Sequence, residues 1–487
     1  MEVQQKREIV IIGGGVIGST TAYFLTRHSK FNPSLHNITL LEATSIASGA
    51  SGKAGGLLGL WAYPECLVPL SYRLHRELAE EHGGAERWGY RRLGCGSIGA
   101  VVPTTSKKAK TAAKEAARAK VPATQPGMSA LEVNGGVNGA AAGTEPSAAG
   151  PEPLAAGPEP LAAGSSDEKL EDGETKDGKE WEKLPKQDEA AASLLSESTL
   201  PCDLDWIDPK LVQYFEQMGR PGFTETAQVH PLHFTTAIAE LARAAGVVIR
   251  TQAKVTKIIS PGSKTDGTKT VEYEDRQHEG AMRVISGITD VIVTAGPWTG
   301  TLLPRSKVEG LRAHSVVYEA DVSPYAVFTD IQLPSDYVPE HRARLGQKRK
   351  HRGNVDPEIY ARPFGEVYAC GEPDKNVPLP ETTDQVQCDE AQCDDLAAYI
   401  ATVSPTLAAA PIKAKQACYL PRHMRFGDER APLIGQTYTP GVWVAAGHTC
   451  WGIQNGPATG YLVAEMLLDG AAKSADIEVL DPKKFKV

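Results

Sequence analysis

The stretch EIVIIGGGVIG, at residues 8–18, joins a short β-branched apolar run to a glycine motif. The apolar run predicts a buried parallel strand. The glycines that follow, Gly13, Gly15 and Gly18, have the spacing G-x-G-x-x-G, and Ser19–Arg27 continues with helical periodicity. A strand, a glycine-rich turn and a helix in this order form the first half of a βαβ unit that binds a dinucleotide.

Each glycine of the motif has a separate role in such a unit. Gly13 permits the tight turn, Gly15 lets the backbone approach a pyrophosphate, and Gly18 lets helix and strand pack closely. Free N–H groups at the start of the helix face the phosphates. A second apolar strand, Ile38–Leu41, ends at Glu42, which is placed to accept hydrogen bonds from the adenosine ribose. The predicted contacts at this end are Gly13, Gly15, Val16, Ile17, Gly18, Glu42 and Ala43.

The loop after the second strand consists of small residues. Residues 47–56 read ASGASGKAGG, a composition that packs poorly in a core and suits backbone contact with a planar ring. An ordinary loop that contacts no ligand would have the same composition. The G-x-G-x-x-G spacing serves NAD and FAD alike, so the residues by themselves leave the choice between these dinucleotides open.

Composition limits the other classes of function. The 487 residues include 51 Lys and Arg against 60 Asp and Glu, and a net charge of −9 argues against nucleic acid or an anionic membrane surface as partner. No apolar run reaches the length of about 18 residues that a membrane span needs. The eight cysteines do not make a disulfide scaffold in so long a chain, and Cys388 and Cys393 lack the second pair that a zinc site needs. We therefore expect a soluble enzyme without a metal.

A long segment at residues 104–199 is predicted to be a disordered, low-complexity insert. It contains ten Leu or Val, no Ile and no Phe, too few large aliphatic side chains for a packed core. It also contains the heptapeptide AAGPEPL twice in tandem, at residues 148–161. Two interpretations stay open, a solvated loop expansion and a segment that docks a protein partner.

Four separated segments together resemble the D-amino-acid oxidase superfamily of FAD-dependent oxidoreductases, which includes glycine oxidase and sarcosine oxidase. They are the glycine motif, the loop at 47–56, the strand Asp290–Thr294 with the following AGPW, and the C-terminal segment Ala446–Ala458. The likeness is strongest to a fungal group of this superfamily, some of whose members are linked to endosomal recycling.

The resemblance implies an α/β fold with two domains. A Rossmann-like FAD-binding domain of the GR2 type would come from residues 1–90, 225–300 and 405–487, and a mostly antiparallel β-sheet substrate domain from 90–103, 200–224 and 301–404. FAD would lie extended across the first domain. The further cofactor contacts that the resemblance implies are Ser48, Ser51, Lys53, Ala54, Gly55, Gly56, Val255, Ala295, Gly296, Trp298, Gly452, Ile453 and Gln454. For Trp298, a purely structural role in the core stays an equal alternative.

The resemblance also implies a reaction. Relatives oxidise a C–N bond of an amine or amino-acid-like substrate by hydride transfer to the flavin N5, and we assign no catalytic acid or base. The alternative is a flavin-binding scaffold in trafficking or assembly, in which FAD is structural. The chain ends FKV rather than in a peroxisomal tripeptide and has no presequence, so a cytoplasmic location is expected, with an endosomal association implied by the fungal likeness.

The sequence departs from its relatives at the substrate site. Leu420 stands where glycine oxidase-like relatives have the arginine that binds the substrate carboxylate. Cys418 stands where sarcosine oxidase-like relatives bond the flavin covalently, so covalent FAD is one possibility. The segment 315–345 has no lysine that would match the one near the flavin in relatives, which leaves oxidase and dehydrogenase activity both open. The candidate substrate-pocket residues are Tyr360, Arg362, Tyr419 and Arg422.

Overall fold

A computed structural model of the chain describes residues 6–104, 196–198, 200–219, 225–260, 267–348 and 353–487. The insert predicted at residues 104–199 lies outside the described residues, except for Thr104 and the short strand Ser196–Ser198.

The strands, in chain order, are β1 (Arg7–Ile12), β2 (His36–Leu41), β3 (Leu57–Gly59), β4 (Arg91–Arg92), β5 (Gly94–Val101), β6 (Ser196–Ser198), β7 (Val212–Gln217), β8 (Thr226–Gln228), β9 (Val248–Arg250), β10 (Ala253–Ile259), β11 (Lys269–Asp275), β12 (Ala281–Ile288), β13 (Asp290–Val293), β14 (Val308–Glu319), β15 (Tyr325–Gln332), β16 (Glu358–Arg362), β17 (Glu366–Cys370), β18 (Ile412–Arg425), β19 (Asp428–Arg430), β20 (Leu433–Gln436) and β21 (Val442–Ala446). The α-helices are α1 (Val16–Arg27), α2 (Ala50–Lys53), α3 (Val68–His82), α4 (Gly84–Trp88), α5 (Pro231–Ala244), α6 (Thr299–Leu302), α7 (Glu340–Arg344), α8 (Glu390–Ala401), α9 (Pro405–Ala409) and α10 (Gly452–Asp469).

A six-stranded sheet with the order β20-β21-β13-β1-β2-β9 forms the centre of the nucleotide-binding half. Strand β1 runs parallel to both β2 and β13, and β21 runs parallel to β13. Helices α1 and α10 pack closely against each other, because a Cβ atom at Gly460 would come within 2.5 Å of the Thr20 backbone. The Thr20 hydroxyl donates to the Gly456 carbonyl at 2.9 Å. The predicted α/β class with a parallel Rossmann-like sheet is confirmed.

The second large sheet has nine strands, in the order β19-β18-β14-β17-β16-β15-β5-β7-β6, and its pairs are antiparallel except for β5 with β15. Residues 357–371 predict a hairpin about Phe364, Gly365 and Glu366, and strands β16 and β17 form it, with Arg362 opposite Glu366. Its turn places Phe364 and Gly365 at φ of 67° and 71°, which is the left-handed region that tight hairpin turns need. The predicted second sheet, mostly antiparallel, is therefore confirmed.

Strand β18 lies in the segment 405–487, which is predicted to belong to the FAD-binding domain. It pairs along nearly its whole length with β14, from Val308 opposite His423 to Tyr318 opposite Ile412. It is therefore part of the nine-stranded sheet. The described residues all belong to one unit by their contacts, so the division into two domains stays a prediction.

The family resemblance implies that residues 247–255 form the segment whose strand passes the adenine, and the structure has two strands there, in different sheets. Strand β9 pairs with β2, whereas β10 pairs with β11 in a three-stranded sheet. The extended backbone is interrupted between them at Gln252, which has a φ of 57°. The backbone and side-chain amides of Gln252 both donate to the Thr44 carbonyl at 3.1 Å. This break directs Val255 toward the cavity described below.

The sequence predicts a last helix over residues 458–468, whereas helix α10 begins at Gly452, six residues earlier. Pro457 is a typical first-turn residue, but here it lies inside the helix. A proline cannot donate to the carbonyl four residues earlier, which belongs to Ile453. The buried His75 side chain of α3 bonds to that carbonyl at 2.9 Å instead. The earlier helix start is thus made possible by a contact from a distant helix.

Candidate cofactor and substrate site

A cavity of about 620 Å³ lies at the carboxyl ends of the parallel strands. Its lining includes Ile12 at the end of β1, Leu41 at the end of β2, Thr294 just after β13 and Ala446 at the end of β21. Ligands of open α/β sheets bind at this edge. The cavity continues from there to the face of the nine-stranded sheet.

The three motif glycines meet different surroundings. Gly13 has a φ of 109°, and a Cβ atom there would lie 2.5 Å from the Thr294 carbonyl oxygen. A Cβ atom at Gly18 would overlap the Gly13 carbonyl oxygen. A Cβ atom at Gly15 would meet only the Ser51 side chain, at 3.0 Å, and Gly15 lines the cavity. The first and third glycines are therefore needed for packing, and the second leaves a cradle open toward the cavity.

Two helix N-termini point their partial positive charge at this cavity. Helix α1 starts after Gly15 and has no side-chain cap, although the Val16 N–H donates to the Ser51 hydroxyl at 2.9 Å. Helix α10 also starts without a side-chain cap, and its first residues, Gly452 and Ile453, line the cavity. Free N–H groups and the helix dipole at both ends suit an anionic or electron-rich ligand.

Glu42 holds the turn as well as lining the cavity. One carboxylate oxygen accepts the Gly14 N–H at 2.7 Å and the other accepts the Thr44 N–H at 2.9 Å. Burial raises the pKa of Glu42, and these backbone donors oppose that shift. The carboxylate therefore organises the backbone around the glycine motif.

The loop at 47–56 lies against the nine-stranded sheet. A Cβ atom at Gly55 would overlap the Tyr360 ring, so this tyrosine packs directly on the loop backbone. Lys53 points elsewhere, since its amine donates to the Ala417 carbonyl at 3.0 Å. Trp298 lines the cavity while its indole N–H donates to the Pro380 carbonyl at 2.6 Å.

Most of the predicted cofactor residues line this one cavity. Those that do are Gly13, Gly15, Val16, Ile17, Glu42, Ala43, Ser48, Ser51, Ala54, Gly55, Gly56, Val255, Ala295, Gly296, Trp298, Gly452 and Ile453. Gly18, Lys53 and Gln454 do not line it. Gly18 packs helix on strand, and the buried Gln454 accepts the Gly59 N–H at 2.9 Å.

Of the four candidate substrate residues, only Tyr360 lines the cavity. Arg362 is buried beside His230 and Glu366, at 2.8 and 3.3 Å. Arg422 is ion-paired with Glu429. These contacts hold both guanidinium groups away from the cavity, so the predicted substrate role of the two arginines is not supported.

Tyr419 was also predicted in the pocket and lies on the other face of β18. Its neighbours Cys418 and Leu420 line the cavity, and side chains alternate along a strand. The Tyr419 hydroxyl donates toward the Val377 and Pro378 carbonyls, at 3.0 and 2.9 Å. Burial raises the pKa of the Cys418 thiol to about 11, so this cysteine is protonated at neutral pH.

Several cavity residues were missed by the sequence analysis. They are Phe328, Glu358, Tyr368, Cys370, Cys450 and Trp451. For Glu358 a signal was present, because it precedes Tyr360 by two residues on a predicted strand and must share its face. His448, also in the lining, is bonded to Thr459 at 3.0 Å, and burial lowers its pKa to about 3.

The sequence of this chain matches the family of FAD dependent oxidoreductases (DAO) over residues 8–145 and 175–466. The chain belongs to this family, and the glycine cradle, the uncapped helix N-termini and the cavity fit its cofactor, FAD. The predicted family and the predicted cofactor are confirmed.

Individual relatives support the same assignment. Putative oxidoreductase TDA3 of Saccharomyces cerevisiae is 36% identical over 99% of this chain and 95% of its own length. Putative oxidoreductase C1F5.03c of Schizosaccharomyces pombe is 29% identical, over 99% of both chains. Among solved structures, glycine oxidase from Geobacillus kaustophilus has the same fold, with a TM-score of 0.57 and 18% identity over 98% of both chains.

No helix in the part of the chain that the structure describes is long and apolar enough to cross a membrane. Across those same ranges, no group of three or more His, Cys, Asp or Glu side chains is arranged to hold a metal ion.

Proposed function

We propose that this FAD-dependent oxidoreductase oxidises a C–N bond of a small amine or amino-acid-like substrate. The observation that carries the proposal is the continuity of the cavity. One end is the glycine cradle at Gly15, and the other is a chamber walled by Phe328, Tyr360, Tyr368 and Trp451. A cofactor held at the first end can therefore present its ring to a molecule in the second.

FAD held at the Gly15 cradle would supply a hydride acceptor for the carbon beside the substrate nitrogen, and loss of that hydride would turn the C–N single bond into a C=N bond. The neutral amine is the reactive form, since its loss of a hydride leaves an iminium cation. Water then converts the iminium to a carbonyl compound, an amine and a proton. The aromatic walls of the chamber would orient the reacting carbon and keep bulk water away from it.

The side chains around the chamber support a reaction without a strong base. The pKa of His448 is lowered to about 3 by burial, and its ring is bonded to Thr459. The pKa of Cys418 is raised to about 11 by burial, so its thiol is not a thiolate at neutral pH. Hydride transfer from a neutral amine needs neither group to exchange a proton. The uncapped start of α10 at Gly452 has N–H groups that would stabilise negative charge on a reduced cofactor held beside it.

The relatives add support of a coarser kind. One solved structure with this fold is named a glycine oxidase, and glycine is an amino acid. Leu420 in the cavity wall, and arginines bonded elsewhere, favour a substrate bound differently from glycine.

The test is reduction of the bound flavin in the full-length chain without oxygen. Amines and amino acids of graded size are added singly, and loss of the flavin absorbance band is followed. We expect at least one amine to bleach the flavin and to yield the matching carbonyl compound. A flavin that stays oxidised with every compound, in a protein that forms a stable complex with another protein, would favour the scaffold alternative.

A further inference from the structure

We propose that Glu358 makes the substrate end of the cavity a cation-binding site, so that the preferred substrate is an amine without a carboxylate group. The inference rests on the proposed C–N oxidation and adds the substrate class to it. It assigns to Glu358 a binding role that determines specificity.

The strand register places Glu358 in the wall of the chamber. It lies opposite Phe328 of β15 on one side and Cys370 of β17 on the other. Tyr360 follows two residues later and faces Tyr368, with the two rings stacked at 6.0 Å. All five side chains line the cavity. The carboxylate thus stands in a wall of aromatic and sulfur-containing side chains on a rigid sheet.

Neighbouring donors hold the Glu358 carboxylate in place. The Tyr360 hydroxyl donates to one of its oxygens, and the Cys370 thiol lies 3.7 Å from the same oxygen. Burial and the nearby charge of Glu358 raise the pKa of Tyr360 well above its usual value. The phenol therefore keeps its proton and remains a donor to the carboxylate.

The cavity offers no opposite charge for a substrate carboxylate at this end. Among the described residues that line it, none is an arginine. Lys254 lines it beside Val255 on β10 and is ion-paired with Glu381, and with Glu274 at 3.6 Å. His448 is neutral at physiological pH because burial lowers its pKa to about 3. Neither Lys254, which is ion-paired, nor His448, which is neutral, would therefore compensate an amino-acid carboxylate near Glu358.

An ammonium group meets the reverse situation. The Glu358 carboxylate attracts it. This attraction is strongest where water is excluded. The same wall therefore favours binding of the ammonium form of an amine and disfavours an anionic or zwitterionic competitor. The bound ammonium then gives one proton to water, and the neutral amine that remains loses the hydride.

Charge recognition can be measured without turnover, through the shift of the bound-flavin spectrum on titration with two probes of similar shape. Tetramethylammonium is a cation and pivalate is an anion, and neither can lose a hydride to the flavin. We expect the wild type to bind the cation and to bind pivalate poorly. Glu358→Gln keeps the shape and an acceptor for Tyr360, and should weaken cation binding roughly 10- to 100-fold. Glu358→Asp should retain most of it.

Asp330→Asn is the matched control, because this acid-to-amide change lies on β15 of the same sheet, exposed and bonded to Asn354 at 2.7 Å. It should bind tetramethylammonium like the wild type. FAD content and melting temperature establish that each variant is folded. Equal cation binding by the wild type and Glu358→Gln, or no cation binding by the wild type, would overturn the proposal.

A second arm compares phenethylamine with phenylalanine, which differ by one carboxylate, as reductants of the flavin. Faster reduction by phenethylamine, lost in Glu358→Gln, supports the proposal, and reduction by phenylalanine alone overturns it. If neither compound reduces the flavin while tetramethylammonium binding still depends on Glu358, the cation site stands and the proposed oxidation fails.

Discussion

Replacing Gly15 by valine separates cofactor binding from folding. The Gly15 backbone has a φ of −75°, which any residue adopts, so the substitution causes no backbone strain. Its Cβ atom would meet only Ser51, at 3.0 Å, a contact that the serine side chain relieves by a small shift. The stability of the protein without FAD should therefore change by no more than about 1 kcal/mol.

The effect on FAD is much larger. The branched side chain fills the space above the start of α1, where backbone N–H groups face the pyrophosphate. Losing two hydrogen bonds to a charged group costs about 3–6 kcal/mol, which corresponds to a decrease in affinity of roughly 100- to 10,000-fold. We expect the purified variant to be colourless.

The assay is the FAD-to-protein ratio from absorbance, followed by reconstitution of the FAD-free protein and titration with FAD. Gly18→Val is the contrasting variant, because its Cβ atom would overlap the Gly13 carbonyl oxygen, and it should fail to fold stably. Stoichiometric FAD of wild-type affinity in Gly15→Val would refute the placement of the pyrophosphate.

Three further predictions concern the insert, the flavin linkage and acid stability. Replacing residues 105–195 by a ten-residue Gly/Ser linker should change the free energy of unfolding by only about 2 kcal/mol, because the entropic cost of closing a loop grows with the logarithm of its length. FAD content should be unchanged, and loss of flavin would contradict the prediction. Because the pKa of Cys418 is raised to about 11, we expect acid precipitation of the wild type to release FAD into the supernatant, whereas a yellow pellet that Cys418→Ala abolishes would show a thioether. Burial lowers the pKa of His75 and His423 to about 4 and that of His448 to about 3. As the pH falls below about 6.5, these histidines are therefore protonated in the unfolded chain before they are protonated in the folded one. The free energy of unfolding then falls by up to about 1.4 kcal/mol per pH unit for each histidine, until the pH reaches its pKa in the folded protein. Urea unfolding at pH 7 and pH 5 measures this loss, His448→Asn should reduce it, and equal stability at the two pH values would count against it.

The nucleotide-binding end could be predicted from the sequence because its signal is local. Strand β1, the glycine motif and helix α1 occupy consecutive residues. Each glycine of the motif is required by a geometry that dinucleotide-binding βαβ units share. The hairpin of β16 and β17 is local in the same sense, since a turn of positive φ joins two alternating strands. The family resemblance added the cofactor, which the spacing of the glycines alone left open.

The substrate end was decided by tertiary structure. Whether an arginine reaches a substrate depends on its ion-pair partners. Arg362 is paired with Glu366 and Arg422 with Glu429, and no sequence motif predicts either pair. Glu358 joins the chamber because β16 lies between β15 and β17 in the sheet.

The break at Gln252 and the early start of α10 have the same origin. Each depends on a hydrogen bond between distant parts of the chain, from Gln252 to Thr44 and between His75 and Ile453. Local sequence determines which backbone shapes are allowed, whereas the pairing of remote strands and helices determines which side chains share a cavity. For this protein the sequence therefore determined which residues form the glycine cradle, and only the folded chain decided which charged side chains line the chamber.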